Sequence, residues 1–163
     1  MTGDARFEEG AEQPLRLIAQ AADDLPVMSA LLQDAVLTCA DMRYEPSRRR
    51  FAALVSRFRW EDLDEARARR RPVERVRTLL VAEGVTAARS RGFDRGRSDL
   101  VLSLLSLGWS PAAEGAGRLV LTLAGEGEIA LDLEAVDLRL EDVSRPYAAP
   151  SGKAPCHPDT ESR

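Results

Sequence analysis

The hydrophobic period of this chain changes once, after Ala35, and that change limits the folds open to it. Before it, Leu25, Val27, Met28, Leu31, Leu32 and Ala35 recur at the spacing of one α-helical face. Asp23-Asp24-Leu25-Pro26 supplies a capping carboxylate and a proline suited to an early helical position, which predicts a helix over residues 24–35. After it, short runs alternate with a period of two and are separated by turn residues. A chain with one amphipathic helix and many short alternating runs is steered toward an α+β fold on a mainly antiparallel sheet.

The alternating runs can be placed in order. Leu15 to Ala19 reads as a first strand, and Val36 to Tyr44 and Arg50 to Trp60 as a hairpin about Glu45-Pro46-Ser47. Glu61 to Arg71 reads as a loop or a short helical excursion ending at Pro72. Val73 to Ala82 is strand-like, while Gly84, Gly92 and Gly96 interrupt Glu83 to Arg97. Ser98 to Trp109, Arg118 to Ala124 and Glu128 to Glu134 read as strands, the last two joined through Gly125-Glu126-Gly127. Ile129, Leu131 and Leu133 share one parity and Val136, Leu138 and Leu140 the other, which a β-bulge or a sheet corner at Glu134-Ala135 produces. The sum is about seven strands in a curved sheet or partly closed barrel, with one N-terminal helix packed on it. Residues 14–145 form the expected domain, between a polar tail at 1–13 and a Pro-rich tail at 146–163.

Several chemistries are disfavoured. Asp4, Glu8, Glu9 and Glu12 leave no apolar stretch for a secretory signal, and Leu100 to Trp109 falls far short of a membrane span of about 20 residues. Cytoplasmic placement with free thiols at Cys39 and Cys156 is therefore expected. With His157 as the one histidine, a four-ligand Cys/His zinc site cannot be assembled. Asp132, Glu134 and Asp137 read as exposed carboxylates with no reason for catalytic pKa values. Cys39 offers no nearby base, and the adjacent Cys156 and His157 sit on a Pro-rich tail unsuited to a dyad. Gly92 to Ser98 matches no phosphate-binding pattern and reads as a surface loop. No catalytic, metal or cofactor residue is expected.

Charge is the most informative remaining feature. Residues 43–97 hold 16 arginines and eight acids, a net of +8, against −12 for the rest of a chain whose formal charge is −4. Lys153 is the only lysine, so the abundance of arginine partly reflects a composition bias. Arg57 and Arg59 share a parity with Phe51, Ala53 and Val55, and Arg75 and Arg77 share one on the next strand. If these strands are neighbours, Arg57, Arg59, Arg75 and Arg77 could form a face for carboxylates or phosphates. The simpler reading is that they are solvated or meet acidic strands of the same chain. Phe58, Trp60 and Glu61 could line a pocket, although two aromatics anchoring an aliphatic core is the favoured alternative.

Leu15-Arg-Leu-Ile-Ala-Gln-Ala-Ala-Asp-Asp-Leu25, Ser29 to Val36, Arg49 to Phe51, Arg57 to Glu61, Gly127 to Glu134 and His157-Pro158 together resemble an uncharacterised alphaproteobacterial family with a domain of unknown function. The resemblance spans about residues 14–158 and implies a bacterial cytoplasmic protein without assigning an activity. The expectation is a small non-enzymatic domain that binds a protein partner or itself. RNA or phosphate binding through the arginine face is the alternative, and an enzyme with an unrecognised site the second alternative. The partners expected from charge are a second copy or an acidic protein, with nucleic acid less favoured and no membrane.

Overall fold

The computed structural model describes residues 13–148. In chain order its strands are β1 (Arg16–Ala19), β2 (Val36–Thr38), β3 (Met42–Glu45), β4 (Arg50–Phe58), β5 (Glu74–Glu83) and β6 (Val85–Arg91). They continue with β7 (Val101–Pro111), β8 (Gly117–Leu123), β9 (Glu128–Leu133), β10 (Leu138–Asp142) and β11 (Tyr147–Ala148). The helices are α1 (Leu25–Leu32) and α2 (Leu63–Ala68). One sheet runs β1-β10-β5-β4-β2-β7-β8-β9-β6, with β11 added to β5 and β3 to β4, and every pairing is antiparallel. None of the described helices is long and apolar enough to cross a membrane.

The mainly antiparallel sheet and the N-terminal helix are as expected, but the detail differs. The sheet has 11 strands, does not close into a barrel, and is joined by two α-helices among the described residues. The run Val36 to Tyr44 is split by a 3-10 turn at Cys39–Asp41. There the Asp41 carboxylate accepts hydrogen bonds from both the backbone N–H and the hydroxyl of Thr38, at 2.8 and 2.9 Å. A local side-chain bond of this kind competes with the ladder and ends the strand. The glycine-interrupted region holds β6, and the charged excursion after Glu61 becomes α2. Within the expected N-terminal helix, Pro26 takes its early position. The Asp24 carboxylate instead accepts from Gln20 and Ala21, closing the turn before the helix.

The parity switch is a sheet corner. β5 passes into β6 through Gly84 at φ +70, a left-handed conformation that costs glycine nothing. β9 passes into β10 alongside it, because β5 pairs with β10 and β6 with β9. Glu134 N–H donates to Gly84 O and Glu83 N–H to Asp137 O, so the two strands turn together. Ala82 then Val85, and Leu133 then Val136, exchange parity while all stay buried. The core so enclosed is aliphatic, with Leu80, Leu104, Leu119, Leu131, Leu138 and Leu140 each at most 1% exposed. Leu25, Met28 and Leu32 of α1 seal it.

Candidate interaction site

The four arginines singled out from the sequence do not form one face. Cα register places Arg57 opposite Val76, and Arg75 opposite Phe58. Paired residues share a face and neighbours alternate. Arg57 therefore points inward with Phe51, Ala53 and Val55, while Arg75 and Arg77 lie on the opposite surface. The signal was present in the sequence: Arg57 is in phase with three apolar residues, and that phase buries it.

Arg57 is wholly buried, and all five of its N–H groups are used. Nη1 and Nη2 fork onto Glu61 at 2.8 Å each, Nη1 also reaching Phe58 O. Nη2 meets the Asp142 carboxylate at 3.0 Å, and Nε donates to Thr78 Oγ1 at 3.0 Å and to Asp142 Oδ1 at 3.2 Å. Asp142 accepts further bonds from Thr78 Oγ1 and the N–H of Leu15. The network thus ties β4, β5, β10 and the residue before β1. Burial alone would push the Glu61 carboxyl up. The hydrogen bonds and charge of Arg57 outweigh it and hold Glu61 below the usual carboxylate range.

Arg59 joins a second cluster, donating to Asp62 and to Glu74 at 2.7 Å, and Arg71 forks onto Asp62 at 2.7 and 2.9 Å. Phe58 and Trp60 are in tilted contact, with ring centroids 5.6 Å apart, and the indole N–H donates to Gln33 O. Phe58 is 3% exposed and so fills space, while Glu61 is turned toward Arg57. Arg75 lies over the Phe58 ring at 3.8 Å and donates to Ser56 O. Burial pulls its pKa down.

Besides Arg57, the arginines of the basic block that meet the acidic remainder include Arg49, Arg89 and Arg91, whereas Arg43, Arg48, Arg50, Arg59, Arg69 and Arg71 pair with acids inside the block. Arg49 bonds to Glu134, Arg91 to Glu128 at 3.0 Å, and Arg89 approaches Asp132 at 3.6 Å. The hydrogen bond from Arg118, 2.8 Å long, is the main cause of an Asp132 carboxyl held below its usual range. Arg75, Arg77 and Arg95 make no ion pair with a described residue. No group of three or more potential metal ligands occurs among the described residues.

The concave feature that sequence reading missed lies between β3 and β6. Among the described residues β3 pairs with β4 alone and β6 with β9 alone, so each has one edge without a described strand partner. At one end Val85 N–H donates to Arg49 O, and Tyr44 Oη reaches Val85 O at 3.4 Å. At the other, Cys39 Sγ lies 3.9 Å from Asp94 O. Between them is a cavity of about 150 Å³, floored by Phe51 and Ile129 and walled by Met42, Ala88, Ser90 and Phe93. Arg43, Arg89 and Arg95 line its mouth, and the side chains of Arg43 and Arg89 are 78% and 65% exposed. A shallower depression continues past Asp94 to Gly96. Cys39 is a half-buried free thiol in this wall, not a mid-strand residue. The charge count located the basic block, but pairing of the first and last thirds of that block needed the fold. Cys156 and His157 lie outside the described residues.

These features define an α+β protein on an open antiparallel sheet, carrying an arginine-rimmed cleft between two strand edges. The chain belongs to the family described as protein of unknown function (DUF2948), whose model matches residues 15–157. Comparison with curated proteins and with solved structures finds no match.

Proposed function

We propose that this chain is a non-enzymatic interaction domain whose cleft between β3 and β6 takes up an extended acidic protein segment. The supporting observation is the coincidence of three features in one place. Two strand edges have no strand partner among the described residues, an apolar cavity lies between them, and arginines stand at its mouth. Added strands use edge groups for affinity and side-chain pockets for selectivity. A 150 Å³ apolar cavity is of the size that holds a benzene-like group. Seating one Phe or Leu contributes about 1.5–3 kcal/mol. Each exposed arginine–carboxylate pair adds at most about 1 kcal/mol. A weak, salt-sensitive interaction follows, in the range of tens of micromolar or weaker at about 6 kcal/mol or less.

The test is fluorescence anisotropy with a labelled heptapeptide of glutamates around one phenylalanine. Binding should be lost when the phenylalanine becomes serine, when the glutamates become lysines, and in the cavity-filling variant Ala88→Leu. Binding indifferent to Ala88→Leu, with the fold intact by circular dichroism, overturns the reading.

A second reading places a phosphate-bearing ligand, RNA among them, on the opposite surface at Arg75 and Arg77. One observation favours it: Arg75 is half-buried on Phe58, and burial pulls its pKa down although the charge of Asp34 acts on it in the other direction. Loss of inorganic phosphate or oligouridylate binding in Arg75→Gln would support this second site, and no binding by the wild-type chain would exclude it.

A further inference from the structure

We propose that the segment received by this cleft is the C-terminal end of an acidic protein, with a last residue of phenylalanine or leucine seated in the cavity and its free α-carboxylate held between Arg43 and Arg89. The inference rests on the cleft reading above and names the part of the partner that is taken. It follows from the directions in which the two strand edges point their side chains, from the closure of the cleft at one end, and from the sign of the charge at its mouth.

The pleat decides what each edge presents, because neighbouring residues of a strand point to opposite faces. On β3, Met42 and Tyr44 are in register with Ala53 and Phe51, which are buried, so both point to the core side. Arg43 between them points to the opposite surface. On β6, Ala88 and Ser90 are in register with Leu131 and Ile129, also buried, and Arg89 between them points outward. Each edge therefore turns apolar or small side chains into the cavity and one arginine out of it. A ligand entering between the edges finds an apolar cavity of about 150 Å³ inside and a guanidinium on either side of the entrance. That arrangement suits an apolar group joined closely to an anion. Neither arginine is hydrogen-bonded to a described acid. Arg43 Nε lies 4.0 Å from Glu45 and Arg89 Nη2 lies 3.6 Å from Asp132, both beyond hydrogen-bond length.

The cleft is blind at one end. Beside Tyr44 it is shut by the backbone bond from Val85 N–H to Arg49 O, 2.8 Å long. At the other end the contact is a long one, Cys39 Sγ to Asp94 O at 3.9 Å, and there the shallow depression runs on to Gly96. From Cys39 to Tyr44 the chain covers at most about 17 Å at the strand rise, and the 3-10 turn at Cys39–Asp41 shortens it. About four extended residues fill that length, so a segment running through has to climb over the Val85–Arg49 bond. A chain end enters past Asp94 and stops. Charge decides which end it is. Arg43, Arg89 and Arg95 at the mouth attract a C-terminal carboxylate and repel an N-terminal ammonium. Asp94 lies in the depression, where its carboxylate accepts the Gly96 N–H at 2.8 Å. An α-carboxylate has no side-chain rotamers of its own to freeze, unlike the carboxylate of a glutamate, so holding it costs less entropy. Capture of a C-terminal carboxylate is a recurring mode of peptide recognition. Acidic residues upstream of the end then lie over the depression, toward Arg95.

Fluorescence anisotropy on the full chain at fixed ionic strength tests this with N-terminally labelled peptides. The first is a run of glutamates ending in phenylalanine with a free carboxyl. The second ends in the phenylalanine amide and carries one more glutamate at its far end, so the net charge is unchanged. The third is an amide of the same charge with its phenylalanine at the centre. The free acid should bind at least about tenfold tighter than either amide. Arg43→Gln together with Arg89→Gln, both at exposed positions, should reduce that preference to about twofold or less. Ala88→Leu, with the fold intact by circular dichroism, should abolish binding of all the peptides. Equal binding of the first and second peptides overturns the proposal, as does a preference that survives the double arginine substitution. If the central phenylalanine binds as tightly as the terminal one and both need Ala88, the chain-end inference fails while the cleft reading stands. If no peptide binds, or none depends on Ala88, both fail. 3-Phenylpropionate carries the same ring and carboxylate without a chain and should compete only at concentrations at least about tenfold higher. If it binds as tightly as the free-acid peptide, the cleft takes a free acid and the chain end is excluded.

Discussion

Replacing Arg57 by methionine should destabilise the fold by about 3–5 kcal/mol, the usual cost of removing one partner from a buried ion pair. Methionine keeps much of the aliphatic volume, so the loss comes from the polar network rather than from a cavity. Asp142, with a side chain 6% exposed, would keep only the Thr78 hydroxyl and the Leu15 N–H as donors. Its charge would then be buried without a cation. Glu61 contributes little to the loss, since its side chain is 33% exposed and can turn to water. A domain of ordinary stability, about 5–15 kcal/mol, survives this and remains measurable. The assay is urea unfolding followed by tryptophan fluorescence, which Trp60 reports near the site. Adding Asp142→Asn to Arg57→Met should recover part of the loss by deleting the orphaned charge, although each change alone is destabilising. A loss below about 1 kcal/mol for Arg57→Met, the value of an exposed pair, would refute the buried-network account.

Further outcomes follow from the same structure. Because Arg57 lowers the Glu61 pKa in the folded state, its stabilisation is present above the unfolded value of about 4.3 and is lost as pH falls through the lower folded value. The stability gap between wild type and Glu61→Gln should therefore narrow in urea titrations taken from pH 7 down to pH 3, and a constant gap would contradict the assignment. Gly117→Ala should lower the melting temperature by several degrees, because a Cβ there would lie 2.4 Å from the Trp109 ring and 2.6 Å from Ser110 O. Gly92→Ala should be more damaging than an exposed loop change, since its Cβ would meet Glu126 O at 2.5 Å at a φ of +82; unaltered thermal unfolding would argue against both contacts. Tyr147→Phe removes the hydroxyl that meets Ser56 Oγ at 2.5 Å and should speed proteolysis beyond residue 145 while costing about 1 kcal/mol or less.

Local pattern was enough for the helix near Leu25, for most strand positions and for the parity switch at Glu134-Ala135, because each depends on periodicity within a few residues; that the switch is a sheet corner and not a bulge needed the pairing of β5 with β10 and β6 with β9. The same pattern could not divide Val36 to Tyr44. There a single carboxylate, Asp41, competes with the ladder, and an aspartate two residues past Cys39 reads equally well as a strand-end residue. Helix α2 was open between loop and helix for a related reason. Six residues, Leu63–Ala68, are too short to carry a period, and the turn is held from outside by Asp62, Arg59, Arg71 and Glu74.

The sequence by itself determined the α+β class, the antiparallel pairing of neighbouring runs, the aliphatic core and the size of the basic block, because these follow from residue type and short-range spacing. It also contained the burial of Arg57, in phase with Phe51, Ala53 and Val55. Only the tertiary structure decided that this arginine meets Asp142, 85 residues away, and that Arg75 and Arg77 face elsewhere. It alone decided that β3 and β6 stand side by side, with no strand of the described residues on their facing edges. Strand order and the partners of a buried charge are long-range properties: many foldings of one alternating pattern bury the same apolar faces, and the choice among them rests on how all the strands close around one core at once.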